Sequence, residues 1–165
     1  MSAQVHPLGS PIVCPSERVI EDWIDYNGHL NMAYYNVIFD HAVDYLYDFL
    51  GIGADYAKSG VGSCFTMENH VHYLNELSLH DDVEVHIQLL DFDAKRVHFF
   101  EQLYHKKEGY LAATSEQLGM HVDMVTRRSA PFPDTVLVEL ERLHQAHQLV
   151  VIPDQVGHVI GIKKK

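Results

Sequence analysis

The sequence predicts an α+β fold: one antiparallel sheet curled around a long central helix, followed by a C-terminal helix. Two patterns carry this. Between Met32 and Leu50, apolar residues crowd most of a helix's circumference, so something must wrap it. From residue 61 onward the hydrophobic period switches to 2 and holds through strand-length segments. Consecutive antiparallel strands make one sheet that can close over a helix. A chain of 165 residues supports a single domain, with its core at about 18–125 and the last helix at about 134–148.

Residues 1–16 carry Pro7, Gly9, Pro11 and Pro15 and read as an extended lead-in. Arg18–Ile24 is a short strand candidate, and Asp25–Asn31 is a polar turn. Asn31 suits the N-cap of the long helix, because its side chain can accept from a free N–H of the first turn. Gly51 is the stop signal. The polar residues of this helix keep to one stripe at i, i+4 spacing: Asn36, Asp40, Asp44 and Asp48. Ser63–Leu77 reads as one long strand. Asp82–Leu90 alternates, with Val83, Val85, Ile87 and Leu89 on one face. Asp91–Ala94 is a hairpin connection to a strand over Lys95–Tyr104. Lys106–Gly109 turns into a strand over Tyr110–Met124. Arg127–Pro133 is loop, and Asp134 is the expected cap of a helix over Thr135–Gln148. A sheet wrapped around one helix leaves edges to cover, and self-association into a homodimer or homotetramer is the expected remedy.

The formal net charge is −11, with 12 Lys plus Arg against 23 Asp plus Glu, which argues against a general nucleic-acid binder. The basic clusters are small: Lys95-Arg96, Lys106-Lys107, Arg127-Arg128 and Lys163-Lys164-Lys165. Among these, Lys95 and Arg96 are candidates for holding the phosphates of a nucleotide-bearing ligand. Cys14 and Cys64 are the only cysteines and form no CxxC pair, which fits a reduced cytoplasmic protein. Met1–Ser10 has neither the basic start nor the apolar run of a signal peptide. No segment approaches the ~18 consecutive apolar residues of a membrane span.

The stretch Asp25-Tyr26-Asn27-Gly28-His29-Leu30-Asn31-Met32 carries the chemistry. Asp25 is a carboxylate that the helix cap does not need, since Asn31 takes that role. Gly28 permits a positive φ and a close backbone approach. The N–H groups of Met32 and Ala33 are expected as unpaired donors at the positive end of the helix dipole. Aimed at a developing oxyanion, one such donor contributes ~3 kcal/mol of transition-state stabilisation. Asp25 can act as base for water or as direct nucleophile. Asn27 and His29 are its polar neighbours, and His29 either orients Asp25 or caps the turn.

Glu68, His70 and His72 alternate on a strand and share a face. Two His and a carboxylate can hold zinc, but 13 His are scattered through the chain and we assign no metal. Glu68 is placed instead as a second polar group of the pocket, with His70 beside it. Glu116 and Gln117 sit inside a strand, where uncompensated burial is costly, so they should line a pocket or pair with a His. Cys64 has no local activating charge. No Gly-x-Ser-x-Gly, P-loop or Rossmann fingerprint is present.

The pattern Asp25-Tyr26-Asn27-Gly28 followed by a helix from Met32 resembles the hot-dog acyl-CoA thioesterases of the 4-hydroxybenzoyl-CoA thioesterase type. The resemblance spans about Val19–Met124. It implies that Asp25 is the catalytic carboxylate and that the Met32 N–H polarises the thioester carbonyl. Asp25-Tyr-Asn-Gly-His, Thr66-Met-Glu-Asn-His, Tyr73-Leu-Asn-Glu, Lys95-Arg-Val-His-Phe-Phe, Tyr110-Leu-Ala-Ala-Thr-Ser-Glu-Gln and His121-Val-Asp look more narrowly like the betainyl-CoA thioesterases. That group includes the thioesterase domain fused to some carnitine dehydrogenases. The likeness implies hydrolysis of betainyl-CoA to glycine betaine in carnitine breakdown, with CoA as part of the substrate and no separate cofactor. Met32 departs from the wider pattern, where many relatives carry a second Asn; the backbone N–H survives the change.

A quaternary ammonium donates no hydrogen bond and is held by aromatic faces and a nearby carboxylate. Trp23, Tyr34, Tyr35, Phe65 and Tyr73 flank the expected site, Glu68 can balance the charge, and Gly28 and Asn31 complete the binding set. Other readings are a thioesterase for another small acyl- or aryl-CoA, a hot-dog domain that binds acyl-CoA without hydrolysis, and a dehydratase on the same fold.

Overall fold

A computed structural model describes residues 9–162. The first part of the expected lead-in and the terminal lysine cluster lie outside the described residues. Short strands β1 (Ile12–Val13) and β2 (Glu17–Arg18) precede a 3-10 turn (Glu21–Trp23) and helix α1 (Met32–Leu50). Helix α2 (Ala54–Lys58) leads into β3 (Gly62–Tyr73), β4 (Asp82–Phe92), β5 (Arg96–His105) and β6 (Leu111–Asp123). A short β7 (Arg128–Ser129) and α3 (Asp134–His147) complete the order. The strands form one antiparallel sheet in the order β1-β4-β5-β6-β3, with β2 on β4 and β7 on β6. This is the expected α+β arrangement.

The inner face of the sheet is laid down by register. Ile87 pairs with Glu101, Glu101 with Ser115, and Ser115 with Val71, so these side chains point the same way. Val85, Leu89, Phe99 and Leu103 share that face and pack on Ile38, Phe39, Val43 and Leu46 of α1. Gly119 is required on it, since a Cβ there would crowd the Tyr47 hydroxyl of α1.

Several boundaries differ from expectation. The Arg18–Ile24 strand stops at Arg18, because Trp23 N–H bonds to Ile20 O and curls the backbone into a 3-10 turn. β3 ends at Tyr73, where the Leu74 and Asn75 N–H groups both turn onto Ala112 O. β4 runs on to Phe92, and the hairpin closes with Asp93 Oδ1 accepting from the Lys95 and Arg96 N–H groups. Pro133, not Asp134, is the N-cap of α3; Asp134 sits inside the first turn, where its charge faces the positive helix end. α2 and β7, both short, were not expected.

A chain of polar side chains lies between sheet and helix. Gln117 Nε2 donates to Glu101 Oε2 (2.7 Å) and Ser115 Oγ (3.1 Å), and Ser115 Oγ donates to Asn69 Oδ1 (3.1 Å). Asn69 Nδ2 then donates to Asn36 Oδ1 (3.2 Å), and Asn36 Nδ2 and Tyr73 OH each reach Met32 O at 3.3 Å. Burial of Glu101 among these groups pushes its carboxyl up to about 8, against an ordinary value of 4.5.

In the folded chain Glu101 therefore keeps its proton through neutral pH, whereas unfolding releases it. Stability from this group is fully present below the unfolded value and declines as pH rises toward about 8. Glu101→Gln keeps the shape and removes the titration. Urea denaturation at pH 5.5 and pH 7.5 should show the parent losing about 2 kcal/mol relative to the variant across that interval. Parallel stability profiles would contradict the burial-raised carboxyl.

Candidate active site

The turn before α1 is held at both ends by backbone. Leu30 N–H donates to Leu77 O (2.8 Å), and Asn31 N–H donates to Trp23 O (2.9 Å). Inside it, Asp25 N–H meets His29 O (2.9 Å) and Gly28 N–H meets Asp25 O (3.0 Å). Gly28 has φ +83°, with open space where a Cβ would stand. A side chain there would be strained by the backbone alone. Asp25 Oδ1 accepts the Asn27 N–H at 2.7 Å, so Asn27 fixes the carboxylate in an Asx turn.

At the helix start, Asn31 Oδ1 accepts the Ala33 N–H at 2.9 Å, as a cap should. That consumes one of the two donors expected to be free. The Tyr34 N–H is taken by Asn31 O. Among the described residues the Met32 N–H finds no acceptor, and Met32 itself is exposed. Asp25, Asn27, His29 and Met32 line one cavity of about 350 Å³ together with Tyr35, Tyr73 and Glu76. An anchored carboxylate and an unpaired donor at the positive end of a 19-residue helix thus face one space. This pairing suits attack on a carbonyl whose oxygen gains negative charge.

The other expected site residues divide. Tyr35 is in the cavity, its hydroxyl donating to Asn75 O (3.2 Å) and pushed up to about 12 by burial. Its ring meets Tyr73 edge-on, with centroids 5.2 Å apart at 82°. Trp23 stacks on Tyr34 at 5.6 Å and is not among the cavity's lining residues. His29 turns to Glu76, with Nε2 3.3 Å from Oε2, and so does not orient Asp25. Tyr73, expected beside the site, comes from the end of β3; Glu76 lies just beyond it, and only the fold reveals its place beside Asp25.

Glu68, His70 and Arg96 are not brought to Asp25 within one chain. They line a second cavity of about 460 Å³ with His98, Glu116 and His158. His70 pairs across the ladder with Glu116, and Glu68 with Leu118, on the sheet face turned away from α1. Arg96 is committed to Asp93, whose carboxyl it holds down at about 2, and Lys95 lies in the same turn. Glu116 does pair with a His: His98 Nε2 is 2.9 Å from its Oε1. Gln117 serves the inner network described above. Neither cysteine offers a thiolate, since burial pushes Cys14 up to about 12 and Cys64 up to about 11.

A family model described as the thioesterase-like superfamily matches residues 19–140. The chain is 40% identical over 144 residues to the betainyl-CoA thioesterase of Pseudomonas aeruginosa, covering 87% of this chain and 91% of that protein. It is 32% identical over 154 residues to the L-carnitine dehydrogenase/betainyl-CoA thioesterase of Rhizobium meliloti, covering 93% of this chain and 31% of that longer protein. A Staphylococcus aureus protein solved in complex with CoA superposes with a TM-score of 0.87 at 31% identity, over 97% of this chain and 100% of that one. A putative thioesterase from Pseudomonas putida superposes with a TM-score of 0.81 at 34% identity, over 93% and 98% of the two chains. With its helix-in-sheet architecture and its carboxylate facing a free helix N–H, the chain belongs to the thioesterase-like superfamily and has the hot-dog fold.

Proposed function

We propose that the protein hydrolyses betainyl-CoA to glycine betaine and CoA. The observation that carries this is the Asp25 carboxylate, held by Asn27, sharing one cavity with the unpaired Met32 N–H. In the proposed step the thioester carbonyl oxygen lies against that N–H. Asp25 either takes a proton from the attacking water and returns it to the sulfur, or attacks the carbon itself to form an acyl–Asp25 anhydride, which water then hydrolyses, regenerating the carboxylate and supplying the proton for the thiolate. The C–S bond breaks and CoA leaves as the thiol. CoA enters as part of the substrate, and the proposal assigns the reaction no separate cofactor. The 40% identity to a betainyl-CoA thioesterase supports the acyl assignment.

The cavity also suits a trimethylammonium group. Tyr35 and Tyr73 make an aromatic corner, and Asp25 and Glu76 place carboxylates at the same opening. The acyl group of betainyl-CoA is short, so its cation stays near the thioester carbon, within reach of groups that flank Asp25.

The outer edge of β3 pairs with no strand among the described residues. An edge of 12 residues is a template for further pairing, and we assign it to a second copy of the chain in a homodimer or a larger homo-oligomer. The free cysteines suit a cytoplasmic location. Among the described residues, no helix is long and apolar enough to cross a membrane.

Asp25→Asn should lower thiol release from betainyl-CoA by about 10²–10⁴-fold while circular dichroism and melting temperature stay near the parent's. Undiminished turnover in that variant would remove the assignment. The cation contact has its own readout. Tyr73→Leu should raise KM for betainyl-CoA by about tenfold and leave KM for its uncharged isostere, 3,3-dimethylbutyryl-CoA, within a factor of about two. Equal effects on both substrates would mean that Tyr73 supplies packing alone.

A further inference from the structure

The outer face of the sheet carries a cluster that the thioester chemistry does not use. His70 and His72 project from β3, and the segment after α3 brings His158 over them. One ligand nitrogen from each of the three lies within 4.8 Å of the others. The rings pack closely, edge-on or tilted: centroids are 4.1 Å apart for His72–His158, 5.1 Å for His70–His72 and 5.8 Å for His70–His158. Among the described residues, no carboxylate is bonded to any of the three. Glu116 is near, but its oxygens are taken by His98 Nε2 (2.9 Å) and the Gly157 N–H (2.7 Å). His70 Nε2 and His158 Nδ1 are both buried with no hydrogen-bond partner.

Buried imidazole nitrogens are usually satisfied, and leaving one bare is costly. Two unpaired buried nitrogens on the rings of one three-imidazole cluster suit a positive partner that accepts lone pairs. Protonation is a poor answer, because each imidazolium would face the other two rings across 4.1–5.8 Å. A metal ion answers all three at once.

We propose that His70, His72 and His158 form a site for one divalent transition-metal ion of the zinc type, which clamps the segment 149–162 onto β3. An all-imidazole set selects zinc, nickel, cobalt or copper over magnesium and calcium, which require oxygen ligands. Around a tetrahedral zinc, nitrogens stand about 3.3 Å apart, so the cluster closes by at most about 1.5 Å, a distance that imidazole rotation covers. The fourth position opens toward the 460 Å³ cavity that His70 and His158 also line. The clamp has a mechanical role, because the segment otherwise meets the sheet through few polar contacts: Gln88 Nε2 to Val150 O (3.2 Å) and Gly157 N–H to Glu116.

The test uses the full chain stripped with a chelator. Calorimetric titration with Zn²⁺ should show one ion per chain with Kd below about 10 µM, and Co²⁺ should give the visible absorption of a tetrahedral site. His72→Ala and His158→Ala should each weaken Zn²⁺ binding by about tenfold or more. The second lies outside every strand, so its effect cannot be blamed on a damaged ladder. Amide exchange over 149–162 should slow when Zn²⁺ is added to the parent and not to His158→Ala. Absence of saturable uptake up to about 1 mM, binding that survives either substitution, or unchanged exchange in the tail would overturn the proposal.

Discussion

Burial of α1 is the constraint on which everything else rests. Eight of its residues, from Tyr35 to Leu50, are buried, and the inner faces of β4, β5 and β6 exist to cover them. Each fully buried apolar side chain is worth about 1.5–3 kcal/mol. Local penalties at the helix start are far smaller. A positive φ at Gly28 costs little because the residue is glycine. An unpaired N–H at the exposed Met32 costs much less than it would in the interior. The helix therefore stays where its packing puts it, and the turn before it adapts. This is how an unsatisfied donor comes to be held next to a carboxylate.

The packing alone would allow α1 to slide along the sheet, since leucine, valine and phenylalanine surfaces are tolerant of small shifts. The polar chain from Glu101 to Met32 O removes that freedom. Its links are directional, and they join β5, β6 and β3 to the first turn of α1. The last link ends on the backbone carbonyl of the residue whose N–H is proposed to bind the oxyanion. A shift that breaks one bond strands Glu101 or Gln117 in a buried, low-dielectric setting, which is costly. Burying a neutral carboxyl is tolerable here because Gln117 satisfies one of its oxygens.

Much of this was readable from residue pattern. The helix Met32–Leu50 was legible to the residue, because its apolar content, its Asn31 cap and Gly51 all point to the same ends. The alternation of β4 gave its buried face, and Asp25 stood out as an acid with no structural duty. Other features were hidden for identifiable reasons. The Trp23 and Ile24 N–H groups close a 3-10 turn on Ile20 O and Glu21 O, hydrogen bonds that no periodicity records. Asp134 looks like a cap, yet Pro133 fills that place. Glu76 reaches the site only because Leu77 O anchors the Leu30 N–H. Such tertiary neighbours leave no spacing signal in the chain.

The separation of Glu68 and His70 from Asp25 within one chain has a single cause, and it shows what divides the two faces of the molecule. The alternation Glu68-x-His70-x-His72 says that the three share a face and is silent on which face. Upstream in β3, Thr66 pairs with Gly119 on the inner side, and Cys64 packs against the core beside it. Continued without interruption, that parity would send Glu68, His70 and His72 toward α1. A bulge between Thr66 and Glu68 inserts one residue and inverts it. Asn69, Val71 and Tyr73 then face the helix, where Asn69 and Tyr73 complete the network beneath the candidate active site. The histidines are turned outward to meet His158. One extra residue in one strand thus assigns the network beneath the candidate active site to one side of the sheet and the imidazole cluster to the other, and a one-residue slip would exchange them.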